Sequence, residues 1–169
     1  VPHSFMERLP NDPKREQAYI EDAIAELIEA KTSSDNRSVT KAIGKAIEKL
    51  EKKLKETQAR EKDNVLSFEQ LGVDAMFLDE AHEFKKLMFL SQRDNIKGLD
   101  KGFSAKGENM YLKVRWIQEN NRGRNVIFAT GTPVSNTLAE LWNFVRVLAP
   151  QVAENFKVSK FDEFDTAFA

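Results

Sequence analysis

The sequence predicts an α/β fold in which parallel strands are flanked by helices and a helical hairpin is inserted ahead of the first complete strand. Three observations carry this. Val73-Asp74-Ala75-Met76-Phe77-Leu78 is a short, mostly apolar run bounded by Gly72 and by the acids Asp79-Glu80, the pattern of a buried parallel strand. Val126-Ile127-Phe128 is a second such run, reached through a helix-patterned stretch. Between residues 12 and 62, two apolar stripes at helical spacing are separated by a polar turn at Thr32 to Asn36. Strand, helix, strand, helix is the order that builds a parallel sheet. The boundaries read as an opening segment at 1–10 (the end of a strand), a hairpin at 11–64, and a core segment at 65–169.

The elements follow in order. Asp12 caps and Pro13 opens a helix carrying Tyr19, Ile20, Ala23, Ile24, Leu27 and Ile28. The second hairpin helix carries Val39, Ile43, Ile47, Leu50 and Leu54, spacings that suit an antiparallel pair. It is basic: Arg37, Lys41, Lys45, Lys49, Lys52, Lys53, Lys55, Arg60 and Lys62 outnumber the nearby glutamates. Such a face is either solvated, with pairs four residues apart, or a phosphate-contacting arm. Ser67 with Gln70 forms a capping-box pattern for one helical turn, closed by Gly72. Ser104 to Asn121 reads as a helix with Met110, Val114 and Ile117 inward, stopped by Asn120-Asn121-Arg122-Gly123. Thr137 and Glu140 read as a capping box for a helix bearing Leu138, Leu141, Trp142, Val145 and Leu148, which Pro150 ends. Phe161 to Phe168 is a last amphipathic piece.

Composition narrows the function classes. The chain has 169 residues, 41% hydrophobic and 31% charged, enough for one domain with a true core and many exposed helices. Net charge is -1, so an argument for a nucleic-acid partner has to be local. The absence of cysteine excludes disulfides and thiolate metal sites and fits a cytoplasmic location. No apolar run approaches the ~18–20 residues of a membrane span, and no membrane partner is expected. The chain opens on Val1-Pro2-His3-Ser4 without Met, and a piece of a longer protein is expected.

The chemistry lies at the strand ends. Parallel strands deliver ligand-binding residues at their carboxyl ends. Asp79 and Glu80 there can divide two tasks, one carboxylate holding Mg²⁺ directly or through water and the other acting as a base on water. The same acids can instead cap or shape a loop. A zinc site on Asp79, Glu80 and His82 is a third use, opposed by the outward alternation of neighbouring residues. The second strand runs into Thr130-Gly131-Thr132-Pro133-Val134-Ser135-Asn136. Adjacent parallel strands would bring Thr130, Thr132, Ser135 and Asn136 near the acids.

These residues resemble a family. Asp79-Glu80-Ala81-His82 is similar to motif II, the Walker B box, of superfamily-two helicases. Ala129-Thr130-Gly131-Thr132-Pro133 with Asn136 resembles motif III in its Swi/Snf-type form. Phe84-Lys85-Lys86-Leu87, and Ala139-Glu140-Leu141-Trp142 followed by Leu148-Ala149-Pro150, resemble the segments that follow each motif. The whole span is similar to the large helicase-like proteins of phages and mobile elements, in which the motor is often joined to an adenine-specific methyltransferase domain.

The resemblance implies a partial RecA-like motor lobe with ATP and Mg²⁺ as cofactors and duplex DNA, contacted without sequence preference, as partner. It implies that Asp79 holds Mg²⁺ through water, that Glu80 polarises the attacking water, and that His82 couples the nucleotide site to Thr130, Gly131, Thr132 and Asn136. His3 and Ser4, at a motif Ib-like position, and Lys85 and Lys86 become nucleic-acid candidates. No G-x-x-x-x-G-K-[ST] occurs in the 169 residues. That loop and a second motor lobe are expected elsewhere in the parent, which leaves this piece inactive alone. Two other readings stay open: a helical-hairpin module that binds DNA or protein and carries vestigial motor motifs, and a carboxylate-metal hydrolase. Lys85, Lys86, Arg93, Lys97, Lys101, Lys106, Lys113, Arg115, Arg122 and Arg124 read as solvated loop charges or as a phosphate track.

Overall fold

The computed structural model describes residues 2–33, 37–60, 65–87, 89, 104–134 and 137–168. It divides into two compact units, Val1–Leu71 and Gly72–Ala169, later than the boundary read at residue 64.

The first unit is helical. The reading of residues 1–10 as a strand end is corrected: His3–Arg8 is helix α1. Pro2 holds an extended φ of -61° and ψ of 145°, and its carbonyl accepts from the Phe5 and Met6 amides. A short segment that closes its own hydrogen bonds needs no neighbouring strand.

The hairpin forms as expected, from α2 (Pro13–Ser33) and α3 (Arg37–Arg60). Asp12 Oδ1 accepts from the Lys14 and Arg15 amides at 2.9 and 3.1 Å, the expected cap. Ile20, Ala23 and Leu27 of α2 and Ile43 and Leu50 of α3 are buried. The helices run antiparallel. Glu16, near the start of α2, binds Lys53 at 3.1 Å and Arg60 at 2.7 Å near the end of α3. Lys31, at the end of α2, lies over Gly44 near the start of α3. The turn at Phe68–Leu71 is a 3₁₀ helix. One half of its expected box is made, Ser67 N donating to Gln70 Oε1 at 2.9 Å, and Gly72 follows at φ 65°. The turn stays with the hairpin because Phe68 N donates to Pro10 O at 2.9 Å and Asp12 N to Glu69 Oε2 at 2.7 Å.

The second unit is built on a parallel pair, β1 (Met76–Leu78) and β2 (Val126–Phe128), with Met76 opposite Val126 and Leu78 opposite Phe128. The first strand is shorter than the run read from residue 73. Both strands have the positions and direction that put Asp79 and Thr130 just past adjacent carboxyl ends. Helix α4 (Ala105–Asn120) buries Met110, Val114 and Ile117, and Ser104 Oγ caps it by accepting from Gly107 N at 3.3 Å.

Helices α5 (Leu138–Leu148), α6 (Pro150–Asn155) and α7 (Phe161–Phe168) pack around Ala139, Trp142, Ala153, Val158, Phe161 and Phe164. Trp142 and Phe164 stack at 5.2 Å. Pro150 ends α5 as expected and also opens α6, since a proline lacks the N–H that a first helical position would leave unused.

Gly107 sets how closely α4 approaches the turn after β1. A Cβ there would sit 2.7 Å from the Lys86 carbonyl oxygen. Alanine in place of a helical glycine ordinarily gains ~0.5–1 kcal/mol. Here the backbone clash outweighs that, and Gly107→Ala is expected to destabilise by about 1–3 kcal/mol, read as a lower midpoint in thermal unfolding. An unchanged or higher midpoint would show that α4 can withdraw freely.

Candidate functional site

The site forms where the two strands end. Backbone pairing continues one step past them: Ala129 N donates to Leu78 O at 2.8 Å, and Ala81 N donates to Ala129 O at 3.0 Å. This holds Asp79-Glu80-Ala81 beside Ala129-Thr130. Ala81 is fully buried, which suits its small side chain. Asp79 and Glu80 face solvent. Asp79 Oδ1 accepts from Glu80 N at 2.9 Å, which fixes the direction of the carboxylate.

Glu80 has φ 49° and ψ 41°, the left-handed region. For a residue with a Cβ this costs on the order of 1–2 kcal/mol. The strand ladder on one side and the 3₁₀ turn Ala81–Phe84 on the other impose it. The kink brings the chain round so that His82 lies back over the acids. His82 Nδ1 is 3.2 Å from Glu80 Oε2 and 3.2 Å from Thr130 Oγ1. Thr130 Oγ1 also accepts from Thr132 N at 3.1 Å. Nδ1 is at ion-pair distance from Glu80 and at hydrogen-bond distance from Thr130 Oγ1, where the imidazole tautomer sets which atom donates. An unbroken polar path thus runs from Glu80 through His82 to Thr130 and Thr132.

Such geometry does not form a three-ligand zinc site. Magnesium keeps several waters and takes one or two carboxylates, and Asp79 presents one exposed carboxylate at a strand end. Among the described residues no group of three or more His, Cys, Asp or Glu is placed to hold a metal ion. The three-ligand site on Asp79, Glu80 and His82 is therefore not formed, because His82 turns Nδ1 to Glu80 and Thr130.

Residues 3–169 match the family described as "Probable helicase domain". The chain belongs to this helicase-domain family. The helicase domain is also 33% identical over 98 residues to "Helicase SWR1" of Eremothecium gossypii, and 34% identical over 97 residues to "Helicase SWR1" of Kluyveromyces lactis. Each match covers 53% of this chain, and 6% and 5% of the two relatives; the chain thus spans a small part of their length. No solved structure matches.

Other residues singled out from the helicase domain's sequence fall in several places. Gly131 and Thr132 are exposed, and a Cβ on Gly131 would meet nothing, so packing does not demand glycine there. Ser135 and Asn136 lie outside the described residues, as do Arg93, Lys97 and Lys101. Ser4 is exposed and His3 half-buried on α1. Lys86 is exposed.

Lys85 is corrected from a nucleic-acid candidate to an internal cation. Its side chain is only 9% exposed and binds Glu140 at 3.0 Å. Its carbonyl accepts from Asn143 Nδ2 at 2.7 Å. The expected capping box is corrected in part: Thr137 makes no side-chain cap, and the Glu140 carboxylate binds Lys85. Burial decides both, since an ammonium lying under the turn requires an anion, and Glu140 and Asn143 sit three apart on one face of α5. One other member of the supposed basic track turns inward, Lys113, which is fully buried and bonds Asn109; Lys106 stays part-exposed and pairs with Glu83.

This Lys85–Glu140–Asn143 clamp was not read from the sequence. Its one signal is Asn143, a polar residue among the apolar positions of α5. The clamp ties the helix that follows the Thr130 loop to the turn that follows the acids. Among the described residues, no helix is long and apolar enough to cross a membrane.

Proposed function

We propose that this helicase domain supplies the metal and water side of an ATP site and transmits its state to the Thr130 loop, as part of a Swi/Snf-like motor that moves on duplex DNA. The observation that carries the reading is the shared Nδ1 contact of His82 to Glu80 and Thr130. Magnesium, held by Asp79 through water, would supply positive charge against the phosphate oxygens as their charge shifts. Glu80 orients the attacking water and accepts its proton. The Glu80 carboxylate is also the group His82 reads. When that carboxylate takes a proton or turns toward water, the charge beside Nδ1 is lost, and the hydrogen bond between His82 and Thr130 changes strength. Thr130 holds the Thr132 amide through the same oxygen, so the change reaches the loop backbone. The phosphate-cradling loop and the second motor lobe belong to the rest of the motor under this reading. The resemblance to proteins of phages and mobile elements fits a motor of that type.

Thr130→Val tests the relay. It keeps the shape and removes the hydroxyl. In the full-length protein, ATP binding is expected to stay within about twofold, while the stimulation of ATP turnover by duplex DNA falls by roughly 10-fold or more, one lost hydrogen bond to a partly charged group being worth ~1.5–3 kcal/mol. Stimulation equal to wild type overturns the relay. Absence of any ATP turnover in the wild type overturns the motor reading.

A further inference from the structure

We infer that the outward face of α3 docks the phosphate backbone of duplex nucleic acid, through Lys41, Lys45, Lys52 and Lys55. This goes beyond the strand-end site and does not depend on the ATP reading.

Charge is segregated between the two hairpin helices. Helix α3 carries eight Lys and Arg against three Glu, a net of +5, and α2 carries five Asp and Glu against three Lys and Arg, a net of -2. The seam consumes cations at one end, where the buried Glu16 carboxylate holds Lys53 and Arg60. Lys41, Lys45, Lys52 and Lys55 are exposed instead. At ~100° per residue they fall within an arc of about 80°, opposite Ile43 and Leu50, and they span about 21 Å of axis. Duplex DNA presents about a dozen phosphates over that length.

Lys31 adds a fifth cation from α2. Its Nζ lies beside Gly44, 3.8 Å from where a Cβ would stand, so it borders this face of α3. Glu48, Glu51 and Glu56 also lie on α3, and Glu48 falls within the same arc, which thus holds four Lys against one Glu, a net of +3. Among the described residues the pair they make with this set, Lys52–Glu56 at 4.0 Å, is 81% and 64% exposed, and such pairs yield readily to a phosphate.

The face also selects its partner. Helix α3 has no aromatic residue on which unpaired bases would stack, which favours duplex over single strand. Its apolar side is buried against α2 through Ile43 and Leu50, so it has no free apolar face to sink into a lipid surface. Lysines act as point charges that position a backbone without reading bases.

The test is binding of a labelled random-sequence 30-base-pair duplex, without nucleotide, between 50 and 200 mM salt, comparing the wild type with K41Q/K45Q/K52Q/K55Q. Four phosphate contacts contribute about -3.6 to the slope of log affinity against log salt, a fall of roughly 100-fold over that range. The quadruple variant is expected to lose about that much slope, to keep wild-type helicity by circular dichroism, and to retain turnover of ATP measured without DNA. An unchanged slope overturns the proposal. So does equal loss of binding to a single strand of the same length, or to phosphatidylserine vesicles, which would mark the face as a general polyanion surface. E80Q is expected to leave the slope unaltered, so failure of the ATP reading and failure of this surface give different results.

Discussion

Under the proposed motor reading, Glu80→Gln is expected to lower ATP turnover by the full-length protein between about 10²- and 10⁴-fold while leaving ATP affinity unchanged. The exchange is nearly isosteric. Glutamine meets the same left-handed backbone at φ 49°, and its amide oxygen can stand where the carboxylate oxygen lies 3.2 Å from His82 Nδ1. Asp79 keeps its bond to the residue 80 amide at 2.9 Å, so a metal held there is undisturbed. What disappears is the group able to take a proton from water. That loss corresponds to ~3–5 kcal/mol of barrier at 1.36 kcal/mol per tenfold. Phosphate release reads turnover, and binding of a non-hydrolysable ATP analogue reads affinity. Turnover within threefold of wild type would remove Glu80 from the role of base.

Glu140→Ala is expected to destabilise the chain by about 3 kcal/mol, the lower end for breaking a buried pair. Lys85 and Glu140 are 9% and 16% exposed at 3.0 Å, so some water can reach the Lys85 ammonium and soften the loss. For a chain of this size the midpoint of thermal unfolding should fall by about 6–12 °C. The double variant K85M/E140L removes both charges and keeps the volume, and its midpoint should return to within about 1 kcal/mol of wild type. The Asn143 bond survives in both, because it uses the Lys85 carbonyl. A midpoint for Glu140→Ala within 2 °C of wild type would mean that the pair contributes nothing to holding α5.

The two expectations concern opposite kinds of residue, and they mark what was legible in the chain. Asp79, Glu80, His82 and Thr130 stand out in sequence because their groups are short-range and polar and end apolar runs. The parallel pairing of Met76–Leu78 with Val126–Phe128 then brings them together as strand order and handedness require. The hairpin was legible for a similar reason, as apolar residues at helical spacing have to face a partner. Its cap at Asp12 is set by local geometry alone.

Other features were not legible. Residues 1–10 look strand-like, but Pro2 sets the direction of entry and a single helical turn closes the bonds. Lys85 and Lys86 look alike in sequence. One points under α5 to Glu140 and the other to solvent, and only the packing of α5 against the turn distinguishes them. Glu140 has the spacing of a capping residue, and only the structure shows its carboxylate bound to a buried ammonium.

The sequence by itself determined which residues end the two strands, that the strands are parallel neighbours, that a hairpin precedes them, and that one face of its second helix is cationic. These follow from periodicity and chain order, which are local and additive. The tertiary structure alone decided that Glu80 is held in a left-handed turn, that His82 bridges it to Thr130, and that Lys85, Glu140 and Asn143 lock the two loops' supports together. Those depend on groups 48 to 58 residues apart meeting within 3.2 Å, and pairings at that range are fixed by how helices and strands pack and by which charges water can no longer reach.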